Sequence, residues 1–134
     1  MATLRSEERP ILSSEDMVLV RQTVRAAAIA MGFSLVDQTK LVTAASELAR
    51  NALEYAGGGS MRLEALNDGM RRGIRLTFED QGPGIADIQQ AMKDGYTSGD
   101  GLGLGLGGAK RLSNEFEIAS RPGEGTRVTI TRWR

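Results

Sequence analysis

The 134-residue sequence contains no cysteine and no histidine. Without cysteine the chain forms no disulfide, has no thiolate nucleophile and lacks the usual ligand of structural zinc sites. Without histidine it also lacks the most common metal ligand and the most common general base of enzymes. Any chemistry of this protein must therefore depend on carboxylates, amides and cationic side chains.

The sequence also has little that is typical of membrane or nucleic-acid partners. Lys plus Arg and Asp plus Glu each number 17, so no net charge attracts nucleic acid or an anionic membrane. No apolar run approaches the roughly 18 residues of a membrane-spanning helix, and the charged N-terminal stretch MATLRSEERP does not resemble a signal peptide. We therefore expect one cytoplasmic domain over residues 1–134, with no nucleic-acid or membrane partner.

Hydrophobic patterning and capping signals predict the order of helices and strands. Ser13 and Ser34 each begin a helix start signal, and glycines follow both helical patterns. The predicted elements are a strand over 4–12, helices over 13–31 and 34–57, strands over 60–66 and 73–80, short helices over 87–93 and up to 113, and strands over 115–120 and 126–133. This order predicts a two-layer α/β sandwich, with the helices on one face of a mixed, mostly antiparallel sheet.

A glycine-rich stretch, GDGLGLGLGG at 99–108, has six glycines and three leucines. The leucines need apolar surroundings, which argues against a flexible linker. A dinucleotide-binding loop would follow a strand, and a Walker loop would end in Gly-Lys-Ser or Gly-Lys-Thr, whereas this stretch leads into Ala109-Lys110-Arg111. Its backbone amides could instead surround phosphate oxygens at the start of the next helix.

The second predicted helix places Glu47 and Asn51 four residues apart, beside an apolar stripe. They flank the predicted core face, where a cleft could open. The alternative is a solvated face on which Glu47 exchanges weak contacts with Arg50 and Glu54. The stripe consists of Leu41, Ala45, Leu48, Ala52 and Tyr55.

The loop Asp80-Gln81-Gly82-Pro83-Gly84-Ile85 directly follows a predicted strand. A carboxylate at a strand end can accept a hydrogen bond from an exocyclic amine, and Gly82 and Gly84 leave room for a flat base. The alternative is an ordinary turn, because Asp, Gly and Pro are common turn residues.

Taken in order, these segments resemble a known superfamily. The sequences ELARN at 47–51, DQGPGI at 80–85 and GLGLGL at 101–106 resemble the N, G1 and G2 boxes of the GHKL superfamily, whose ATP-binding domain is called the Bergerat fold. GEGT at 123–126 resembles a further element of its adenine pocket. Within the superfamily, the chain is most similar to the small serine kinases of bacterial stressosome and partner-switching systems. The absence of histidine separates it from two-component histidine kinases.

The resemblance implies an ATP- and Mg²⁺-dependent protein serine/threonine kinase. Glu47 is then the general base, Asn51 the magnesium ligand, and Asp80 with Thr126 the partner of the adenine amino group. The glycine-rich stretch is then a lid over the phosphates. The implied ATP-binding residues are Asn51, Asp80, Gly82, Gly84, Ile85, Gly101, Leu102, Gly103, Gly105, Leu106, Lys110 and Thr126.

The resemblance also implies protein partners. These are a STAS-domain antagonist protein, which supplies the acceptor serine, and a PP2C-type phosphatase that the kinase activates by binding. One alternative is an anti-sigma factor that sequesters a sigma factor, with ATP as a ligand. A further alternative is a plain two-layer domain with a loose glycine loop.

Overall fold

The computed structural model describes residues 2–85, 92 and 105–134. No helix in these ranges is long and apolar enough to cross a membrane. The described elements are β1 (Ala2–Ile11), α1 (Ser14–Ala30), α2 (Leu35–Ala56), β2 (Gly59–Asn67), β3 (Arg72–Asp80), α3 (Gly105–Arg111), β4 (Glu115–Ser120) and β5 (Thr126–Trp133).

The five strands form one sheet in the order β1-β2-β3-β5-β4. Each of the four described pairings is antiparallel. The charged N-terminal strand lies at an edge, as expected for a strand that contains Pro10. The helices pack on one face of this sheet, so the predicted two-layer sandwich is confirmed, with an antiparallel sheet.

The helix ends follow the local signals of the sequence. The hydroxyl of Ser13 accepts a hydrogen bond from the backbone N–H of Asp16 at 3.3 Å. The hydroxyl of Ser34 accepts one from the N–H of Asp37 at 3.1 Å. Gly57 ends α2 with a φ of 74°, which glycine adopts without steric cost. These contacts satisfy backbone groups that a helix end otherwise leaves unpaired.

The two faces of the sheet differ in chemistry. The face under the helices carries the apolar core, which includes Leu63, Leu76 and Ile130. On the opposite face, Arg75 forms two hydrogen bonds with the Glu64 carboxylate, at 3.0 and 3.1 Å. The helices therefore cover only the apolar face, and the other face is polar.

Arg132 connects β5 to both neighbouring helices. Its guanidinium donates a 2.7 Å hydrogen bond to Asp37 at the start of α2 and a 2.9 Å bond to the carbonyl of Leu112, just beyond α3. The hydrogen bond from Arg132 holds the pKa of Asp37 below its ordinary value of 3.8. Arg132 therefore joins α2, α3 and the sheet at one end of β5.

Some predicted features differ from the structure or lie outside its described part. Tyr55, expected in the buried stripe of α2, is 43% exposed, because the stripe leaves the sheet at the end of the helix. The other four members of the stripe are buried. The helix predicted over 87–93 lies outside the described residues, apart from Met92, which packs partly buried against the core.

Candidate active site

Three polar side chains lie side by side at one end of the sheet. Asp80 of β3 pairs with Thr126 of β5, which in turn pairs with Ser120 of β4. Residues opposite one another in antiparallel strands project from the same face. Phe78 and Val128, two positions further along their strands, are buried in the core, so this row continues the helix-covered face. Polar groups thus replace apolar ones where the core opens at the end of the sheet.

One oxygen of the Asp80 carboxylate accepts a hydrogen bond from the loop that follows β3. Asp80 Oδ1 accepts this 2.9 Å hydrogen bond from the backbone N–H of Gly82. Within the described residues, no other side-chain hydrogen bond of Asp80 is formed. Oδ2 therefore remains available as an acceptor for a bound ligand.

Gly82 and Gly84 are required by packing within the protein. A Cβ on Gly82 would clash with Ala56 at the end of α2. A Cβ on Gly84, whose φ is 76°, would clash with the backbone carbonyl of Arg121. Pro83 accepts a 2.6 Å hydrogen bond from the N–H of Gly123. The loop after β3 is therefore held between α2 and the β4–β5 turn, which is a physical reason for its glycines that does not need a ligand.

Ser120 joins this loop to the β4–β5 turn. Its hydroxyl accepts a 2.8 Å hydrogen bond from the N–H of Ile85 and donates a 3.0 Å bond to the carbonyl of Gly125. It also lies 2.8 Å from the hydroxyl of Thr126. The sequence interpretation did not select Ser120. The sequence does contain a signal for Ser120. Alternate residues of β4 face the core, as Phe116 and Ile118 do, and Ser120 is a polar residue in that same alternating series.

Glu47 and Asn51 lie on α2, four residues apart. The side chain of Glu47 is buried, with the residue 4% exposed, so the solvated-face interpretation is wrong for this residue. Its Oε1 lies 3.7 Å from the Arg50 guanidinium, which is an ion pair but is too long for a hydrogen bond. Asn51 is half-buried. Neither side chain forms a hydrogen bond within the described residues, so the polar atoms of both remain available for hydrogen bonds with a ligand.

Glu47 is buried as a whole residue, but its carboxylate oxygens are not among the buried side-chain atoms that lack a partner in the described residues, where Arg132 Nε is the one such atom. Removing a charged group from water costs free energy unless hydrogen bonds or counter-charges replace the water. Arg50 supplies a counter-charge, but no hydrogen bond reaches Glu47 from the described residues. The Glu47 carboxylate therefore keeps lone pairs that can accept a proton or a hydrogen bond from a ligand.

The short helix α3 covers part of the core beside α2. Gly105 and Leu106 are buried, and Leu106 belongs to the core cluster. Lys110 is exposed near the end of the helix. Gly101, Leu102 and Gly103 lie outside the described residues. Of the three leucines expected in apolar surroundings, Leu106 is buried in the core, and Leu102 and Leu104 lie outside the described residues.

The structure places the predicted site residues in two groups. Asp80, Thr126 and the loop after β3 form one group, and Glu47 with Asn51 on α2 forms the other. The contact between Gly82 and Ala56 places the loop against the last turn of α2. Asn51 lies five residues before Ala56, about 7.5 Å along the helix axis. No group of three or more acidic side chains that could hold a metal ion by itself occurs in the described ranges.

Comparisons with known proteins give consistent results. Residues 36–133 match the family of histidine kinase-, DNA gyrase B- and HSP90-like ATPases. The chain is 46% identical over 123 residues to the serine/threonine-protein kinase RsbT of Bacillus subtilis (strain 168), covering 92% of each chain. It is 26% identical over 125 residues to the anti-sigma F factor of Thermoanaerobacter sp. (strain X514), covering 90% of this chain and 87% of that protein.

Solved structures support the fold. The RsbU and RsbW domains of a Mycobacterium tuberculosis protein superpose with a TM-score of 0.67 at 21% identity, covering 97% of this chain and 33% of that longer chain. The SiaB-SiaC complex of Pseudomonas aeruginosa matches with a TM-score of 0.59 at 12% identity, covering 98% of this chain and 91% of that chain. At these identities the likeness concerns the fold alone.

Proposed function

The chain belongs to the histidine kinase-, DNA gyrase B- and HSP90-like ATPase family, and we propose that within it the protein acts as a partner-switching serine kinase. It is an ATP-binding protein serine/threonine kinase. In the proposal, it transfers the γ-phosphate of ATP to a serine of a STAS-domain antagonist protein. By binding, it also switches on a PP2C-type phosphatase.

The observation that carries the proposal is the buried Glu47 carboxylate beside Asn51. A general base must be able to accept a proton from the attacking group, so it needs a free lone pair. Glu47 has this capacity, because its Arg50 contact is long and no hydrogen bond reaches it from the described residues. We propose that Glu47 accepts the proton of the incoming serine hydroxyl. The bond from the serine oxygen to the γ-phosphorus forms as the bond to the β-γ bridging oxygen breaks, and ADP leaves.

Asn51 is the protein ligand proposed for Mg²⁺. Its half-buried carboxamide has a free oxygen in the described structure, and Mg²⁺ prefers oxygen ligands. The described residues contain no acidic cluster able to hold a metal alone. This fits an ion held mainly by triphosphate oxygens and water, with one side-chain ligand. When bound, Mg²⁺ neutralises negative charge on the phosphate oxygens.

The adenine pocket is proposed at the end of β3 and β5. Asp80 Oδ2 accepts from the exocyclic amine, and Thr126 lies beside it in the adjacent strand. The loop containing Gly82, Gly84 and Ile85 forms the wall next to the base. Gly101, Leu102, Gly103, Gly105, Leu106 and Lys110 are proposed to close over the phosphates.

The alternative of an anti-sigma factor that acts by sequestration has weaker support. The anti-sigma F factor relative is 26% identical to this chain, whereas the kinase relative is 46% identical. We therefore propose phosphate transfer as the main activity, with partner binding as its regulatory consequence.

Phosphate transfer from γ-labelled ATP to purified STAS-domain proteins tests the proposal. We expect label on a serine of one such protein, in a reaction that requires Mg²⁺. A matched pull-down with sigma subunits tests the alternative. Stable, ATP-dependent capture of a sigma subunit, without label transfer to any STAS-domain protein, would contradict the kinase assignment.

A further inference from the structure

Ser120 lies outside all the sequence motifs of the proposed nucleotide site, yet its hydroxyl connects two of them. One hydrogen bond comes from Ile85 in the loop after β3, and one goes to Gly125 in the β4–β5 turn. A third contact, at 2.8 Å, joins it to the hydroxyl of Thr126. Ser120 is only partly buried, so these contacts are formed at the rim of the core.

The number of protons on these groups determines which hydroxyl donates. A serine hydroxyl has one proton to donate and two lone pairs that accept. The Ser120 proton is donated to the carbonyl of Gly125, a buried residue, and one lone pair accepts from the N–H of Ile85. The remaining lone pair can only accept. The Thr126 hydroxyl must therefore be the donor in the 2.8 Å contact.

The opposite direction leaves a buried group unpaired. If Ser120 donated to Thr126, it would have no proton for the carbonyl of Gly125. Losing a hydrogen bond to a buried backbone group is unfavourable, so the first arrangement is favoured. In that arrangement Thr126 presents only lone pairs to the space beside Asp80, its partner across β3 and β5.

We propose that Ser120 is a positioning residue that orients the Thr126 hydroxyl and so tunes the base selectivity of the pocket. The inference rests on the proposed adenine site at Asp80 and Thr126. With its proton directed at Ser120, Thr126 can accept from an amino group but cannot donate to a carbonyl. Adenine carries an amino group at the position where guanine carries a carbonyl oxygen, so the orientation favours ATP over GTP.

Substitution of Ser120 by alanine removes this restraint. The Thr126 hydroxyl can then rotate and donate to the guanine carbonyl, while Asp80 keeps its own preference for an amine. Calorimetric Kd values for ATP and GTP in the presence of Mg²⁺ measure the effect on the full chain. We expect Ser120→Ala to lower the ratio of the GTP Kd to the ATP Kd by about tenfold, the change typical of one hydrogen bond to a ligand.

Two further variants separate this role from general stability. Ser120→Thr keeps the hydroxyl and is expected to keep the wild-type ratio. Ser113→Ala removes another partly buried hydroxyl, one that donates a 2.7 Å bond to the carbonyl of Ala109, and serves as the matched control with an unchanged ratio. A merely structural Ser120 would lower the melting temperature and weaken both nucleotides equally.

Each outcome supports or overturns the inference. An unchanged ratio in Ser120→Ala, or an equal fall in Ser120→Ala and Ser120→Thr, overturns it. If Ser120→Ala does not fold, Ser120→Cys keeps a side chain of similar size whose sulfur is a much weaker acceptor for the Thr126 proton. The same ratio of GTP Kd to ATP Kd is then measured, and an unchanged ratio overturns the inference. Failure of the wild-type protein to bind ATP would instead overturn the proposed nucleotide site itself, so the two failures are distinguishable.

Discussion

The two ends of β5 use polar side chains in opposite ways. At one end, the two terminal nitrogens of Arg132 donate hydrogen bonds to Asp37 and to the carbonyl of Leu112, so its charge is paired within the protein, although its buried Nε has no hydrogen-bond partner in the described residues. At the other end, Thr126 lies beside Asp80, whose carboxylate accepts one hydrogen bond from its own loop. The first arrangement stabilises the fold, and the second leaves an acceptor for a ligand.

The same contrast separates the first turn of α2 from its middle. Asp37 in its first turn is ion-paired at 2.7 Å, whereas the buried Glu47, further along the helix, has only the 3.7 Å contact with Arg50. Polar groups with complete sets of partners contribute mainly to stability. Groups with free capacity in a buried position are candidates for binding and catalysis. The following substitutions test this division.

The largest effect is expected for Glu47→Gln. Glutamine keeps the size of the side chain but cannot accept the serine proton, so phosphate transfer should fall by about 10²–10⁴-fold. ATP affinity should stay close to the wild-type value, because Asn51 and Asp80 are unchanged. Glu54→Gln, at an exposed position of the same helix, is the matched control. Wild-type transfer by Glu47→Gln would remove the residue from the chemistry.

Arg132→Met should lower stability rather than activity. The variant loses the ion pair with Asp37 and the bond to the carbonyl of Leu112, and we expect a loss of about 1.5–3 kcal/mol in the free energy of unfolding. Denaturant titration measures this loss. Arg127→Met, at an exposed position of the same strand, should change stability by less than about 0.5 kcal/mol. Equal stability of the two variants would contradict the structural role of Arg132.

Asp80→Asn should change ATP affinity with little change in stability. The amide oxygen can keep the bond from the Gly82 N–H, which places the amide NH₂ group where the carboxylate has its free oxygen. A donor then faces the adenine amine, and we expect ATP to bind about tenfold more weakly or worse. Calorimetry with Glu79→Gln, the exposed neighbour, as control measures the difference. Unchanged affinity would place Asp80 outside the pocket.

The smallest effect concerns acid stability. Hydrogen bonding to Arg132, with Lys40 also nearby, lowers the pKa of Asp37 below 3.8, so the pair adds stability above that pH. This contribution is lost as the pH falls below 3.8 through the depressed pKa. The stability difference between wild type and Asp37→Asn should therefore shrink on acidification. A difference that stays constant from neutral pH to below 3.8 would contradict the ion pair.

Much of the fold could be predicted because its signals are local. Ser13, Ser34 and Gly57 mark helix ends through contacts within a few residues, and these predictions are confirmed. The strands of the second half of the chain were also predicted from alternation and turn residues. The exposure of Tyr55 could not be predicted, because the 3.6-residue period continues beyond the point where the sheet ends.

The candidate site was predictable only in part. The loop from Asp80 to Ile85 was selected for its glycines, but their contacts with Ala56 and Arg121 depend on residues far along the chain. The roles of Glu47, Asn51 and Asp80 in binding and transfer remain predictions for the experiments above. The structure adds that Glu47 is buried, which spacing on a helix cannot decide by itself.

By itself, the sequence determined the order of the elements, the helix caps and the family motifs, because these depend on neighbouring residues and on residue types. Only the tertiary structure decided that Ser120 bonds to Ile85 and Thr126, and that Arg132 bonds to Asp37. Ser120 lies 35 residues from Ile85, and Arg132 lies 95 residues from Asp37. Strand order and helix packing bring such residues together, and no local pattern records which distant hydroxyl or carboxylate will complete a hydrogen bond.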